Sequence, residues 1–332
     1  MAHRLAQRVA LCVIRCEGWG EVMKLISIVS PCYNEEGNVG VLTDRVRELF
    51  AEMPQYWYEH IVIDNNSTDG TVAELREIAA RDKNVKVIVN ARNFGHIRSP
   101  HHALLEAQGD AVIVLLSDLQ DPPEMIKDFL REWEAGWPIV AAIKTTSDES
   151  GLMYAVRSAY YKTIAKLTDV KVFEHFTGFG LYDRKVMDIL RKDFRDPNPY
   201  FRGQIAEIGL PAKTIAYNQK RRVRGITKNN WYTLYDMAML GITNLSKVPL
   251  RAVVFLGFVC AALSFLAGLV YLVRKLLFWN TFELGLAPTM IGLFFLGSVQ
   301  LVSLGIIGEY VGSIHSMVQN RPLVTEKERI NF

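Results

Sequence analysis

The chain has 332 residues, half of them hydrophobic, and 38 basic against 35 acidic side chains give it a net charge of +3. That length allows two domains or one large one, and so slight a charge leaves no electrostatic footprint for nucleic acid. The four cysteines, Cys12, Cys16, Cys32 and Cys260, form no CxxC pair, which argues against a disulfide-stapled secreted fold.

Residues 1–22 carry Arg4, Arg8 and Arg15, but their longest apolar run, Val9 to Ile14, is too short for a signal-peptide core or a membrane span. They are expected to be a dispensable extension, with Met23 the more natural start. Leu25–Ser30 then reads as a buried strand ending in Pro31-Cys-Tyr-Asn-Glu-Glu-Gly37. A helix follows, with Val39, Leu42, Val46, Leu49 and Phe50 at three- and four-residue spacing. His60–Ile63 is a second strand, closed by Asp64-Asn-Asn-Ser-Thr-Asp-Gly70, and 71–81 a helix. Val85–Val89 is a third strand, followed by Ala91-Arg-Asn-Phe-Gly-His96 and a short helix over 101–108.

The next stretch organises the rest. Val112–Leu116 is five apolar residues, a strand, and it stops at Ser117-Asp118-Leu119-Gln120-Asp121 before Pro122-Pro123 opens a helix. Ile139–Ile143 makes a fifth strand, 151–168 a helix and Phe176–Tyr182 a further strand. Strands alternating with helices of this length imply right-handed βαβ units and an α/β, mostly parallel sheet.

Such a sheet binds ligands past the carboxyl ends of its strands. Polar clusters follow three strands, at 31–36, 64–69 and 117–121. Each alone is an ordinary loop, and aspartates at 118–121 could merely cap a helix. Their recurrence at equivalent positions argues for one shared site. Asp118, Gln120 and Asp121 offer hard oxygens suited to Mg2+ or Mn2+. No GxGxxG or Walker sequence is present, which excludes a typical dinucleotide site or P-loop.

Ser30-Pro-Cys-Tyr-Asn-Glu-Glu36, Ile63-Asp-Asn-Asn-Ser-Thr-Asp-Gly-Thr71 and Ser117-Asp-Leu-Gln-Asp-Pro-Pro-Glu124 together resemble the signatures of family-2 inverting glycosyltransferases. Arg92-Asn-Phe-Gly-His96 narrows the resemblance to the branch that loads a sugar onto a polyprenyl phosphate, as in dolichol-phosphate mannose synthase and undecaprenyl-phosphate glucosyltransferases. It covers roughly 24–320. It implies a Rossmann-like, glycosyltransferase-A type nucleotide-sugar sheet, with Pro31, Tyr33, Glu35 and Asp64 on the base and ribose. Asn65 and Arg92 belong to the same nucleotide-sugar set, and Asp118 with Gln120 would hold the metal on the donor diphosphate. Three positions depart from the family's pattern: Asn65 stands where a second aspartate is frequent, Leu116 where Asp-x-Asp would begin, and Gly178 where an acid is common.

Tyr200-Phe-Arg-Gly203 is similar to the family's acceptor-side loop, which puts Arg202 toward the acceptor phosphate. A basic run follows, Lys213, Lys220, Arg221, Arg222, Arg224 and Lys228, and Arg222 and Lys228 are the expected phosphate ligands. A solvated face, or attraction to an anionic leaflet, is the plainer reading of the others. With Asp118 they form the expected catalytic set. From Trp231 to Ser246 apolar residues recur at helical spacing, which suits an interfacial amphipathic helix; a core helix is the alternative.

Ala252–Val273 has 22 residues without a charge and Ala287–Ile307 another 21. As a helix the first is about 33 Å long, enough for a bilayer core. Lys247 and Arg251 before the pair, and Arg321, Lys327 and Arg329 after it, against Arg274, Lys275 and Glu283 in the connecting loop, modestly favour both ends inside. The expected organisation is an extension (1–22), a cytoplasmic glycosyltransferase domain (23–228), an interfacial helix (229–250), a transmembrane hairpin (251–312) and a cytoplasmic tail (313–332). Gly305, Gly308 and Gly312 would permit close helix contact within the hairpin or between subunits, and a homo-oligomer through the hairpin is expected. The implied reaction moves one hexose from a nucleotide-diphosphate sugar to a polyprenyl phosphate at the inner (plasma) membrane. A polysaccharide synthase would carry Gln-x-x-Arg-Trp and more spans, and neither is present. A non-catalytic scaffold keeping the fold is the rival suggested by Leu116, Asn65 and Gly178.

Overall fold

A computed structural model describes residues 23–146, 173, 176–219, 239–243, 246–278 and 286–332. In chain order the elements are β1 (Lys24–Cys32), α1 (Asn38–Ala51), β2 (Tyr56–Asp64), α2 (Thr71–Arg81), β3 (Val85–Asn90), α3 (Gly95–Glu106), β4 (Ala111–Val114) and α4 (Met125–Glu134). They continue as β5 (Ile139–Thr146), β6 (Phe176–Asp183), α5 (Arg184–Asp193), α6 (Phe201–Ile208), β7 (Ala212–Asn218), α7 (Val248–Leu277), α8 (Leu286–Gln319) and β8 (Glu326–Ile330). Arg222, Lys228, the extension, the helix expected over 151–168 and most of the expected interfacial helix lie outside the described residues.

The eight strands form one sheet in the order β7-β5-β6-β4-β1-β2-β3-β8. β4, β1, β2 and β3 run parallel, as the βαβ reading requires, and β5 and β7 are a second parallel pair. The α/β sheet is therefore as expected but mixed, because β6 runs antiparallel between β4 and β5, and β8 antiparallel to β3.

Alternation along the strands builds the core on both faces. Ile26, Ile28, Ile113 and Leu115 face α1 and α4, while Val29, Val112 and Val114 face the layer of α3, α5 and α6. Most of these side chains are completely buried, and each contributes about 1.5–3 kcal/mol relative to exposure. This two-sided burial explains why the central strands read as unbroken apolar runs.

Three local differences have physical causes. The helix expected over 101–108 instead covers Gly95–Glu106 and takes Pro100 into its second turn, where the missing N–H costs one backbone bond. Pro122 and Pro123 precede α4 rather than opening it; their carbonyls accept from the amides of Met125 and Ile126. Lys213 lies on β7, a strand hidden inside the basic run.

β8 was not expected. Its sequence, Glu-Lys-Glu-Arg-Ile, is four-fifths charged, the composition of an exposed edge strand. It is fastened by side chains: Arg329 to Glu106 (2.9 Å), Arg76 to Glu328 (2.6 Å) and His102 to Glu326 (2.6 Å). Asn331 Nδ2 donates to the carbonyls of Ala79 and Val85.

Val248–Leu277 (30 residues) and Ile291–Gln319 (29 residues) are by length and composition apolar enough to cross a membrane. No residue of α7 is buried, and side chains such as Phe255 and Phe294 are about 70 % exposed. Near the base of the pair, Tyr310 donates its hydroxyl to the carbonyl of Ser246 at 2.7 Å. A Cβ added at Gly305, Gly308 or Gly312 would meet nothing within 4 Å among the described residues, and the three glycines line a groove with Asp196, Met239 and Thr243.

Candidate active site

The loops after β1 and β2 interlock. The Asn34 amide donates to Ser67 Oγ (2.8 Å), the Thr68 amide to Asn34 Oδ1 (2.8 Å) and the Gly70 amide to Glu36 (3.0 Å). Asn34 and Asn66 both sit in the left-handed region that asparagine tolerates, which turns the two loops toward each other. Asp64, fully buried at the end of β2, accepts from the Ser67 amide (2.9 Å) and hydroxyl. Glu35 is 7 % exposed and accepts from Asn38 Nδ2 at 2.7 Å, while its amide donates to Thr71 Oγ1. Pro31 ends β1 opposite Ile63, and Tyr33 is half-buried beside it. The structure thus brings Pro31, Tyr33, Glu35 and Asp64 to one edge of the sheet.

Cys32 lies in the same corner, 3.8 Å from Asp64 Oδ1. Burial, and then the charge of Asp64, push its thiol well above its ordinary pKa. It is a packing residue without nucleophilic character.

Asn65 uses its whole amide on the third loop. Its Nδ2 donates to Asn93 Oδ1 (2.9 Å) and the Gly95 carbonyl (3.1 Å), and its Oδ1 accepts from the Phe94 amide (2.9 Å) and Asn90 Nδ2 (3.2 Å). It serves the site by bracing residues 90–95. Arg92, on that loop, lies exposed over the Phe94 ring with its guanidinium 4.0 Å from the centroid.

The fourth loop follows β4. Asp118 and Gln120 are half-buried, and the Gln120 amide donates to Asp118 Oδ1 at 3.2 Å. Between them Leu119 has φ +59 with its side chain 7 % exposed in the core. A left-handed leucine costs about 1–2 kcal/mol; burying its side chain offsets that and fixes the turn that presents both neighbours. Asp121 is fully buried, with Oδ1 accepting from Tyr217 (2.6 Å) and Gln219 (3.2 Å). Burial raises its carboxyl above the ordinary range. Lys144, at the end of β5, donates to Gln219 Oε1 at 2.5 Å. Tyr217, Gln219 and Lys144 escaped the sequence reading; the signal available was that β5 and β7 end at the same edge as β4 once the order is known.

Among the described residues no group of three His, Cys, Asp or Glu side chains is placed to hold a metal. The donor set at Asp118 and Gln120, one carboxylate and one amide oxygen, still suits Mg2+ or Mn2+, which take one or two carboxylates and complete their shell with phosphate oxygens and water. Arg202 lies on α6. Its Nη1 donates to the Phe176 carbonyl (3.2 Å) and its guanidinium lies 5.5 Å from the Tyr200 ring centroid.

Residues 27–190 match the glycosyl transferase family 2 profile. An uncharacterized glycosyltransferase of Synechocystis sp. is 33 % identical over 299 residues, covering 90 % of this chain and 93 % of its own. The SfII prophage-derived bactoprenol glucosyl transferase of Shigella flexneri is 34 % identical over 90 % of this chain and 96 % of its own. The chain is a family-2 glycosyltransferase. Among solved structures, a mannosyltransferase from Pyrobaculum calidifontis in complex with GDP-Man and Mn2+ aligns over 96 % of this chain and 95 % of its own, at 14 % identity and a TM-score of 0.46.

Two of the three departures from the family pattern acquire structural reasons in this glycosyltransferase. Asn65 meets two acceptors that an aspartate could not satisfy. Gly178 has φ +99, a conformation that strains any other residue, and its carbonyl accepts from the Tyr182 hydroxyl at 2.7 Å. Leu116 is half-buried, and nothing in the structure explains it further.

Proposed function

We propose that the enzyme is a membrane-bound inverting glycosyltransferase that moves a single hexose from a nucleotide-diphosphate sugar to a polyprenyl phosphate. The observation that carries this reading is the placement of the apolar hairpin. It leaves the chain after β7 and returns it as β8, and these are the two opposite edges of the sheet whose loops form the candidate site. This supports a topology with both ends of the hairpin on the catalytic side of the bilayer, the side from which a lipid acceptor would reach the site. The bactoprenol glucosyl transferase relatives support the same acceptor class and make UDP-glucose the first donor to try.

Lys247, Arg251 and Arg321 at the catalytic-side ends favour the cytoplasmic face of the plasma membrane. The glycines of α8, exposed in a groove beside Met239 and Thr243, are open to a second copy of the chain, which supports a homo-oligomer through the hairpin.

In this reading Pro31, Tyr33, Glu35 and Asp64 hold the base and ribose, Asn65 braces the loop that presents Arg92, and Asp118 with Gln120 hold Mg2+ or Mn2+. The ion, when bound, offsets charge on the departing nucleotide diphosphate. Arg202, Arg222 and Lys228 receive the acceptor phosphate. A phosphate monoester with a second pKa near 6 is largely dianionic at neutral pH, so it attacks the anomeric carbon without a strong base. Glycine at 178 is compatible with that chemistry, in which positioning and charge stabilisation dominate. The test is to incubate membranes containing the protein with undecaprenyl phosphate and radiolabelled UDP-glucose, UDP-galactose, UDP-N-acetylglucosamine or GDP-mannose. Label in the lipid extract supports the reading, and its absence with every donor favours a scaffold.

A further inference from the structure

The proposed transfer requires the donor motif after β4 and the basic segment at 220–228 to meet. Asp121 is the residue at which the described chain joins them. It is fully buried, and its Oδ2 is enclosed with no hydrogen-bond partner among the described residues. A carboxylate held this way costs several kcal/mol unless its charge is answered. Its Oδ1 accepts from Tyr217 Oη at 2.6 Å and Gln219 Nε2 at 3.2 Å, and Gln219 Oε1 accepts from Lys144 Nζ at 2.5 Å. A glutamine thus bridges a buried anion to a cation. Tyr217 is itself 6 % exposed, edge-on to Phe179 at 5.4 Å between centroids, so its hydroxyl has little freedom to leave. Gln219 immediately precedes Lys220, the first cation of the segment that carries Arg222 and Lys228.

We propose that Asp121 is a positioning residue and not a ligand of the donor's metal: through Tyr217 and Gln219 it fixes the end of β7, and with it the point from which the acceptor-phosphate segment departs, against the donor motif. The inference rests on the function proposed above for that segment. It assigns Lys144 the task of answering the buried charge, and it explains why the fold keeps an enclosed carboxylate one residue from Gln120. An asparagine at 121 retains an Oδ1 that accepts from both partners. An alanine retains nothing.

Asp121→Asn, Asp121→Ala and Tyr217→Phe, purified as full chains, separate the roles. Three quantities are read: KM for undecaprenyl phosphate, the Mg2+ concentration giving half-maximal rate, and the rate of tryptic cleavage between residues 220 and 228. Asp121→Ala and Tyr217→Phe should raise the acceptor KM roughly tenfold, in the range of lost supporting contacts around a site, and accelerate cleavage. Asp121→Asn should stay within about twofold of the parent on all three, and the Mg2+ requirement should not move in any variant. Asp121→Asn as impaired as Asp121→Ala, with a raised Mg2+ requirement, would make Asp121 a ligand and overturn the proposal. So would an Asp121→Ala protein cleaved at the parental rate. If the parent protein makes no lipid-linked sugar, the proposed function fails while the cleavage comparison still decides the positioning role.

Discussion

Replacing Asn65 by aspartate, the residue frequent at this position in the family, should damage this member. The change removes both N–H donors and sets a carboxylate oxygen 2.9 Å from Asn93 Oδ1 and 3.1 Å from the Gly95 carbonyl. Asn93 cannot simply turn its amide over, because its Oδ1 also accepts from the Gly95 amide at 2.8 Å. Each lost hydrogen bond is worth about 0.5–1.5 kcal/mol, and a carboxylate in this buried position, facing two oxygens, adds to it, so the total is roughly 2–4 kcal/mol. In a domain of this size each kcal/mol moves the midpoint by about 2–4 °C, which predicts a fall of roughly 5–15 °C for Asn65→Asp. Thermal unfolding in detergent measures it. The donor KM should rise as well, because the braced loop presents Arg92. An Asn65→Asp protein melting within a degree of its parent would refute the bracing role.

Other outcomes follow from the same contacts. Asp118→Ala should lower transfer by about two to three orders of magnitude, as for loss of one group that stabilises developing charge, and chelation with EDTA should stop turnover in the parent; near-normal metal-dependent transfer by the variant would remove Asp118 from the metal site. Truncation after Thr325 strips β8 from β3 and exposes the sheet edge, so the domain should melt several degrees lower and aggregate; an unchanged midpoint would make the strand dispensable. Burial lowers the His60 and His101 pKa values to about 4. Each is depressed below the unfolded value near 6.5, so the unfolded state binds protons first and stability falls as pH drops from about 6.5 toward 4. His101→Phe should flatten part of that decline, and an identical pH profile would contradict it.

The three strand-end clusters were legible because each strand is buried on both faces, which leaves a sharp boundary between apolar run and polar loop. Asp118 could be singled out for the same reason. What the sequence hid was long-range. β6 enters between β4 and β5, so nothing local announces that Tyr217 and Lys144 end beside Asp121. β8 was invisible because its residues are nearly all charged; its strand character comes from pairing with β3 and from Arg76, His102 and Glu106 on other elements. Asn65 stood as a departure from the family's frequent second aspartate until its four hydrogen bonds gave it a reason.

One measurement separates a lipid-linked sugar synthase from a scaffold. The purified protein, reconstituted in lipid with undecaprenyl phosphate, UDP-glucose and Mg2+, is assayed by mass spectrometry of the lipid extract, beside Asp118→Ala. A hexosyl phosphoundecaprenol should form in the parent alone. With UDP-galactose, UDP-N-acetylglucosamine and GDP-mannose tried in turn, no glycosylated lipid from any donor, or equal product from the variant, would contradict it.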